Sequence, residues 1–259
     1  MLIYENIHPD LMGYYNTILR DIDSDDYYPH LHKCFEFICL LSGSAIIEID
    51  NRTYSLKEGD AVLVLPSEIH ALYSKNKCFA FVCIFSTTFI PNFCDSIKYK
   101  SAVNPIFRFE EYELFNTLQD KNADLFLLSS IFYRFAYYLN TNTTFIDKDK
   151  KCSYYISNIL DYVEENFNQD ISMKTLSKQL NYSYHYTSNL FSEIFNTNFL
   201  DLVNQYRIQF ADNLLRKTDL SINDIAEKSG YKNLRSFMRN FSRYLGKTPN
   251  KIRNGKENK

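Results

Sequence analysis

The spacing of hydrophobic positions changes along this chain, and each change predicts a different kind of element. Residues 35–41, 45–49, 53–56, 61–65 and 78–85 are short runs of alternating or continuous apolar residues, rich in β-branched and aromatic side chains. Gly43, Asp50-Asn51, Gly59-Asp60 and Pro66-Ser67 punctuate them. Runs of this length between turn formers predict strands, and many short strands at close spacing predict a barrel or jelly roll. The period then lengthens. Residues 104–119 and 124–140 are expected to be helical, the second because Leu125, Leu128, Phe132, Phe135, Ala136 and Leu139 recur at three- and four-residue steps.

The last hundred residues carry one helical pattern twice, about fifty positions apart. In the second copy, Ser221 with Asp224 three residues later predicts a capped helix start. Gly230 supplies a left-handed residue that stops the helix and turns the chain. A further helix follows from Lys232 to Gly246, and Thr248-Pro249 opens a short last one. At 100° per residue, Leu234, Phe237, Met238, Phe241 and Leu245 share one face of the helix before Gly246. Lys232, Ser236, Arg239, Asn240 and Arg243 lie opposite, with Arg235 on the flank. Two short helices joined by a glycine turn form a helix-turn-helix, whose second helix enters the DNA major groove. Lys and Arg neutralise phosphates there, while Arg, Asn and Ser read base edges.

The first copy places His185, Ser188, Asn189 and Ser192 outward, with Leu190, Phe191 and Ile194 inward. Its outward face has no Lys or Arg, so the second copy is expected to supply more of the phosphate binding. Asn196 stands where the second copy has Gly246, and asparagine adopts the left-handed region most readily after glycine. Residues 199–215 read as a single helix between the copies.

Residues from about Ser153 to Arg253 resemble the double helix-turn-helix domain of the AraC/XylS transcriptional regulators. The residues that carry the resemblance are Ile225-Ala226, Gly230-Tyr231, Ser236-Phe237, Phe241, Gly246, Pro249 and Arg253. Arg207, Ala211 and Leu214-Leu215 match in the connecting helix. The first copy departs from the pattern at Ser177, Thr187 and Asn196. The resemblance implies a regulator of transcription, an activator, that binds double-stranded DNA and has RNA polymerase as a partner.

Charge divides the chain in the same place. Residues 1–149 carry 12 Lys/Arg against 20 Asp/Glu, a formal −8, and residues 150–259 carry 17 against 11, a formal +6. An acidic half joined to a basic half is expected to meet nucleic acid only through the second. Polar residues 142–152 are read as a linker. The expected organisation is a sensor barrel at 1–100, a helical packing or dimerisation segment at 101–141, and the DNA-binding domain at 153–259. No basic, apolar leader and no long apolar run is present, so a cytoplasmic protein without membrane contact is expected. The six cysteines show no CxxC spacing and are read as small buried hydrophobes.

Within the predicted barrel, His30, His32, Glu36 and Gly43 precede Gly59, Pro66 and His70 at spacings that resemble the two cupin motifs. That resemblance implies a cupin-like jelly roll, and in metal-binding cupins these three histidines and the glutamate surround the ion. Imidazoles with one carboxylate suit transition metals. Here the four residues are read as the polar wall of a small-molecule effector pocket, with a metal sensor or metal-dependent enzyme, or a ligand-free barrel that serves only as a dimerisation platform, as the alternatives. No catalytic residue, metal or cofactor is assigned, and the chain is expected not to be an enzyme. Tyr133, Tyr137 and Tyr138 are expected to form a homodimer contact on the helix of residues 124–140. The fold class is therefore two domains, an N-terminal cupin-like barrel followed by helices and a C-terminal all-α double helix-turn-helix.

Overall fold

The structure, a computed structural model, describes residues 3–4, 15–22, 29–120 and 122–254. It divides into two compact units, Ile7–Tyr154 and Tyr155–Lys259 with Met1–Asn6.

The first unit is built on two antiparallel sheets. Its strands are β1 (Tyr15–Ile22), β2 (His30–Leu31), β3 (Phe35–Ser42), β4 (Ser44–Ile49), β5 (Arg52–Lys57), β6 (Asp60–Val64), β7 (His70–Tyr73), β8 (Cys78–Phe85), β9 (Lys100–Ala102), β10 (Ile106–Arg108) and β11 (Phe145–Asp147). One sheet runs β10-β6-β3-β8-β1, and in the other β2, β7, β4 and β5 are neighbours in that order. The first six residues of β3 are all buried, because both faces of its sheet are covered. Ile38 and Leu40 point into the space between the sheets with Ile47, Val62, Val64, Ala80 and Val82, all buried. Phe35, Phe37 and Cys39 point the other way, into a core shared with helices α2 (Leu114–Gln119) and α3 (Leu125–Asn142). Ring stacking fixes that contact: Phe37 lies on Phe135 at 3.8 Å, Phe85 on Phe132 at 4.0 Å and Phe81 on Phe115 at 3.9 Å. The buried Cys39 and Cys83 thiols belong to this core, and burial pushes Cys39 up to about 12 and Cys83 well above its usual range.

Three expectations need correction here. Residues 106–108 form a strand and not helix, with Ile106, Phe107 and Arg108 paired to Val62, Ala61 and Asp60. Phe107 and Phe109 are both buried, a two-residue period that suits an edge strand, and the helix begins only at Leu114. Residues 142–152 are not uniformly loop. Phe145–Asp147 pairs with Lys100–Ala102, and helix α4 (Lys150–Asn166) starts at Lys150. Tyr138 is not part of an exposed face, because its ring stacks on Phe107 at 5.7 Å and its hydroxyl donates to Glu111. Tyr133 and Tyr137 are exposed, as are Leu125, Phe126 and Leu127.

The second unit continues from α4 through α5 (Met173–Gln179), α6 (Tyr184–Phe195), α7 (Phe199–Lys217), α8 (Ile222–Lys228), α9 (Leu234–Leu245) and α10 (Pro249–Asn254). Its boundaries follow local chemistry. Ser172, Ser183, Asn198, Ser221 and Asn233 each accept a backbone N–H at the start of the helix that follows. The two helix ends expected to match do so, with Asn196 at φ 46° and Gly246 at φ 64°. Arg207 of α7 donates to the carbonyls of Phe167 at 2.6 Å and Gln169 at 2.8 Å and lies over the Tyr231 ring. It thereby ties the α4–α5 turn to the α8–α9 turn.

Gly230 cannot be replaced without strain. It sits at φ 81°, and an added Cβ would lie 2.7 Å from the Asn168 Cα. Gly230→Ala is expected to cost about 1–2 kcal/mol from backbone conformation alone, and more from that contact. Urea unfolding followed by helix signal checks this, and an unchanged midpoint would show that the turn relaxes freely.

Candidate functional site

Two outward surfaces in the second unit carry the residues expected to meet DNA. On α9, Phe237 and Phe241 are fully buried, joined in the core by α7 and α8 through Ile208, Ala211, Leu215, Ile225 and Ala226. Lys232, Arg235, Arg239 and Arg243 are exposed, and Ser236 is half-buried. Arg235 and Arg239 make no ion pair or hydrogen bond among the described residues. The Lys232 ammonium is 2.7 Å from Asp170, both groups well exposed, a pairing that solvent renders weak. The Arg243 guanidinium lies 3.3 Å from Asp201 and over the Tyr244 ring.

The helical wheel fails at two positions of α9. Asn240, expected on the outward face, is buried, and its amide donates to the Ser236 carbonyl at 3.1 Å. Leu234, expected inside, is 42% exposed because it is the first residue of the helix. At a helix end, the direction of the entering chain decides what is covered, not the 100° period.

On α6, His185, Asn189 and Ser192 are exposed and Ser188 is half-buried. The Asn189 amide donates to His185 Nε2 at 3.3 Å, so these two side chains hold each other. Inside, Phe191 and Phe195 are fully buried, while Leu190 and Ile194 are half-buried. Thr187, one of the departures from the AraC/XylS pattern, is buried with its hydroxyl donating to the Ser183 carbonyl at 2.9 Å. Ser177 does the same towards Lys174. Both hydroxyls are thus hydrogen-bonded within their own helical turn. Tyr184 and Tyr186, exposed aromatics at the start of α6, fall outside the outward set expected from the sequence. Their signal was present: they alternate with His185 just after the Ser183 cap, where a reading helix begins.

In the first unit the four cupin-like residues come together. His30 and His70 are directly paired across β2 and β7, and Glu36 faces them from β3. Glu36 Oε2 lies 2.9 Å from His32 Nε2, 3.0 Å from His70 Nε2 and 3.8 Å from His30 Nε2. All four residues are buried. The other ring nitrogens are engaged as well. His32 Nδ1 donates to the Cys34 carbonyl at 3.1 Å, and His70 Nδ1 donates to the Glu68 carbonyl at 2.9 Å. Burial pushes the Glu36 carboxyl up, but the three imidazoles outweigh it and hold the group well below the usual carboxylate range. Burial and the His30 charge push the His70 imidazole down, against the pull of Glu36.

Glu68 connects this cluster to the segment before α4. Its carboxylate accepts from the Leu65 N–H at 3.0 Å and from the Lys148 ammonium at 2.9 Å, and Lys148 also reaches Asp50 at 2.8 Å. Burial alone would lower the Lys148 pKa, but Glu68 and Asp50 raise it and keep the ammonium charged. Nothing in the order of residues marked Lys148 for this role, since its partners lie 80 and 98 positions away.

Comparison with known proteins agrees with both halves of this description. Residues 17–130 match the family profile of an AraC-like ligand binding domain, and residues 176–255 match that of a helix-turn-helix domain. An uncharacterised HTH-type transcriptional regulator of Bacillus subtilis, YtdP, is 32% identical over 99 residues, which are 38% of this chain and 13% of the relative. A similar regulator of Staphylococcus aureus (strain MSSA476) is 31% identical over 114 residues, 44% of this chain and 15% of its own. The match thus spans a minor part of those longer proteins. ToxT from Vibrio cholerae shares the fold, with a TM-score of 0.59 at 17% identity over 91% of this chain and 96% of that one. No described helix is long and apolar enough to cross a membrane. A sheet-rich unit that fits the AraC-like ligand binding domain, followed by a helical unit that fits the helix-turn-helix domain, shows that the chain belongs to the AraC family of helix-turn-helix transcriptional regulators.

Proposed function

We propose that this chain activates transcription from a two-part DNA site, with α6 and α9 each entering a major-groove segment. The observation that carries the reading is the front of α9, where Arg235 and Arg239 project with no partner among the described residues from a helix whose back is locked by Phe237 and Phe241. His185, Ser188, Asn189 and Ser192 on α6, Lys232 in the turn before α9, and Arg235, Ser236, Arg239 and Arg243 on α9, form the contact set. Asn240 leaves it, since its side chain is buried. The α6 face brings hydrogen-bonding groups without positive charge, so phosphate neutralisation falls mainly to α9. Activation rests on the resemblance to the family, with RNA polymerase as the protein partner, in the cytoplasm.

The N-terminal unit is the sensing part, and small-ligand binding there shifts the chain between two states of different DNA affinity. A homodimer through α3 is supported by the exposed Leu125, Phe126, Leu127, Tyr133 and Tyr137 along that helix.

The test is footprinting of the full chain on a duplex selected from a random pool. Two helices carried on the single spacer α7 are expected to protect two patches about 34 Å apart, one helical turn, on one face of the DNA. One short patch would remove α6 from the reading. Protection without sequence preference would overturn it.

A further inference from the structure

A largely buried ion pair fastens the segment that enters α4 to a turn of the barrel. We infer that Lys148, held between Glu68 and Asp50, is the positioning residue through which the barrel interior acts on the DNA-binding unit. It is a latch, closed while the turn of residues 65–70 keeps its place and open when that turn moves. The effect on DNA rests on the proposed reading of the two units as sensor and DNA-binding part; the latch itself does not.

The segment has little else to hold it. β9 and β11, three residues each, form a two-stranded sheet of their own, and a ribbon of that size is marginal by itself. Its apolar hold is uneven. Ala102 is buried and Phe145 packs on the core beneath α3, whereas Ile146 and Asp147 are exposed. Just beyond them the Lys148 N–H donates to the Tyr99 carbonyl at 2.8 Å. Its side chain turns back to the barrel, with the ammonium 2.9 Å from Glu68 and 2.8 Å from Asp50. Helix α4 starts at Lys150, and the second unit begins within that helix, at Tyr155. What holds Lys148 therefore holds the entry to α4.

The turn of residues 65–70 touches both the barrel interior and the latch. On the inner side, the Ser67 N–H donates to the His32 carbonyl at 2.8 Å, and the Glu68 carbonyl accepts from His70 Nδ1 at 2.9 Å. On the outer side, one Glu68 carboxylate oxygen accepts from the Leu65 N–H at 3.0 Å and the other meets Lys148. Asp50 braces the same turn from the β4–β5 connection. Its carboxylate accepts from the Ile69 N–H at 3.0 Å, and its own N–H donates to the Ile69 carbonyl at 2.8 Å. A group that shifts the His70 ring thus pulls on the main chain of the residue whose side chain holds Lys148.

Energetics favour a latch over a simple staple. The Glu68 side chain is 3% exposed and that of Lys148 21%, so the pair is largely out of water, unlike the exposed pairs that contribute little. For stability alone, an apolar pair of similar volume serves as well or better. What an ion pair adds is sensitivity to position. Once the partners part, Glu68 is left as a buried carboxylate without a counter-charge, so the closed arrangement is strongly preferred while the turn is in place and lost when it is not. Such a contact gives the entry to α4 two discrete arrangements, which coupling between distant sites requires.

Hydrogen exchange of the full-length protein, read by mass spectrometry, tests the latch. Lys148→Met keeps an apolar stem and removes the charge. Peptides covering residues 99–104 and 143–149 are expected to exchange about tenfold faster or more in that variant, while β3 and β8 stay within about twofold of the wild type. Lys148→Arg, which keeps the charge, should restore protection. His70→Gln removes the donor to the Glu68 carbonyl and should speed the same peptides, and adding Lys148→Met to it should give no further gain. Unchanged exchange in Lys148→Met, or faster exchange spread equally over β3 and β8, overturns the latch. Wild-type exchange in His70→Gln cuts its link to the barrel interior; should that variant fail to fold, the Lys148→Met results decide. Fluorescence anisotropy on the selected duplex then reads the consequence. Lys148→Met is expected to change the affinity of the full chain about fivefold or more, and Lys148→Arg to leave it as in the wild type. A change below about twofold, in a protein whose wild type binds with sequence preference, overturns the transmission to DNA. A wild type without sequence preference is a failure of the proposed function instead, and exchange alone then decides the latch.

Discussion

Arg239→Ala and Arg235→Ala are each expected to weaken binding to the preferred duplex by about 1–3 kcal/mol and to relax preference at one or two base positions. Both side chains leave α9 with no partner among the described residues, so removing either breaks no internal contact and reports the DNA contact cleanly. Arg243→Ala should behave differently. Its guanidinium rests 3.3 Å from Asp201, which also accepts from the Tyr244 hydroxyl at 2.8 Å, so the side chain is already engaged within the protein and we assign it to phosphate rather than to a base edge. That variant is expected to weaken all sequences alike and to lower the salt slope by about one. Fluorescence anisotropy on selected and scrambled duplexes, each at several salt concentrations, separates the two behaviours. Wild-type discrimination in the Arg235→Ala/Arg239→Ala protein would take base reading away from α9.

The largest loss of stability is expected at the seam between α3 and the sheet. Phe135 is fully buried, stacked on Phe37 and edge-on to Phe109 at 5.6 Å. Phe135→Ala should cost about 3–5 kcal/mol, because the cavity is walled by β3 and β8, which their own hydrogen bonds hold in place. Phe126, nine positions earlier on the same helix, is 86% exposed, and Phe126→Ala should stay within about 0.5 kcal/mol in the monomer. Urea unfolding of the full chain, read by tyrosine fluorescence and far-ultraviolet circular dichroism, checks both. A cost below about 1 kcal/mol for Phe135→Ala would mean that α3 does not pack on the sheet as described. Dimer dissociation on Phe126→Ala, without a change in the monomer, would support the α3 homodimer.

The helical half was the more legible of the two. Ser221, Gly230, Asn196 and Gly246 act within a turn or two of their own positions, so the amino-acid order states their role directly. Strands at 35–42, 44–49, 52–57, 60–64 and 78–85 were equally plain, since their alternation is local. The strands at 15–22, 70–73, 100–102 and 145–147 were not. Short or polar segments such as these become strands only by pairing with a neighbour already in place, and the pairing partner of Phe145 is Ala102. Asn240 was misread because the helical period says which side a residue lies on, not how far the neighbouring helices extend over it.

The cluster in the barrel divides in the same way. The order of residues set the chemistry, with three imidazoles and a carboxylate at fixed spacings, and it set the two kinds of domain through their hydrophobic periods. Only the tertiary structure could decide that these groups meet. His70 reaches Glu36 across 34 positions because β7 pairs with β2 while β3 lies in the facing sheet, and one residue of register slip would turn each side chain to the opposite face. Caps, turns and periods are written within a few residues of where they act, whereas convergence depends on hydrogen-bonded register between distant strands, which no local stretch of sequence contains.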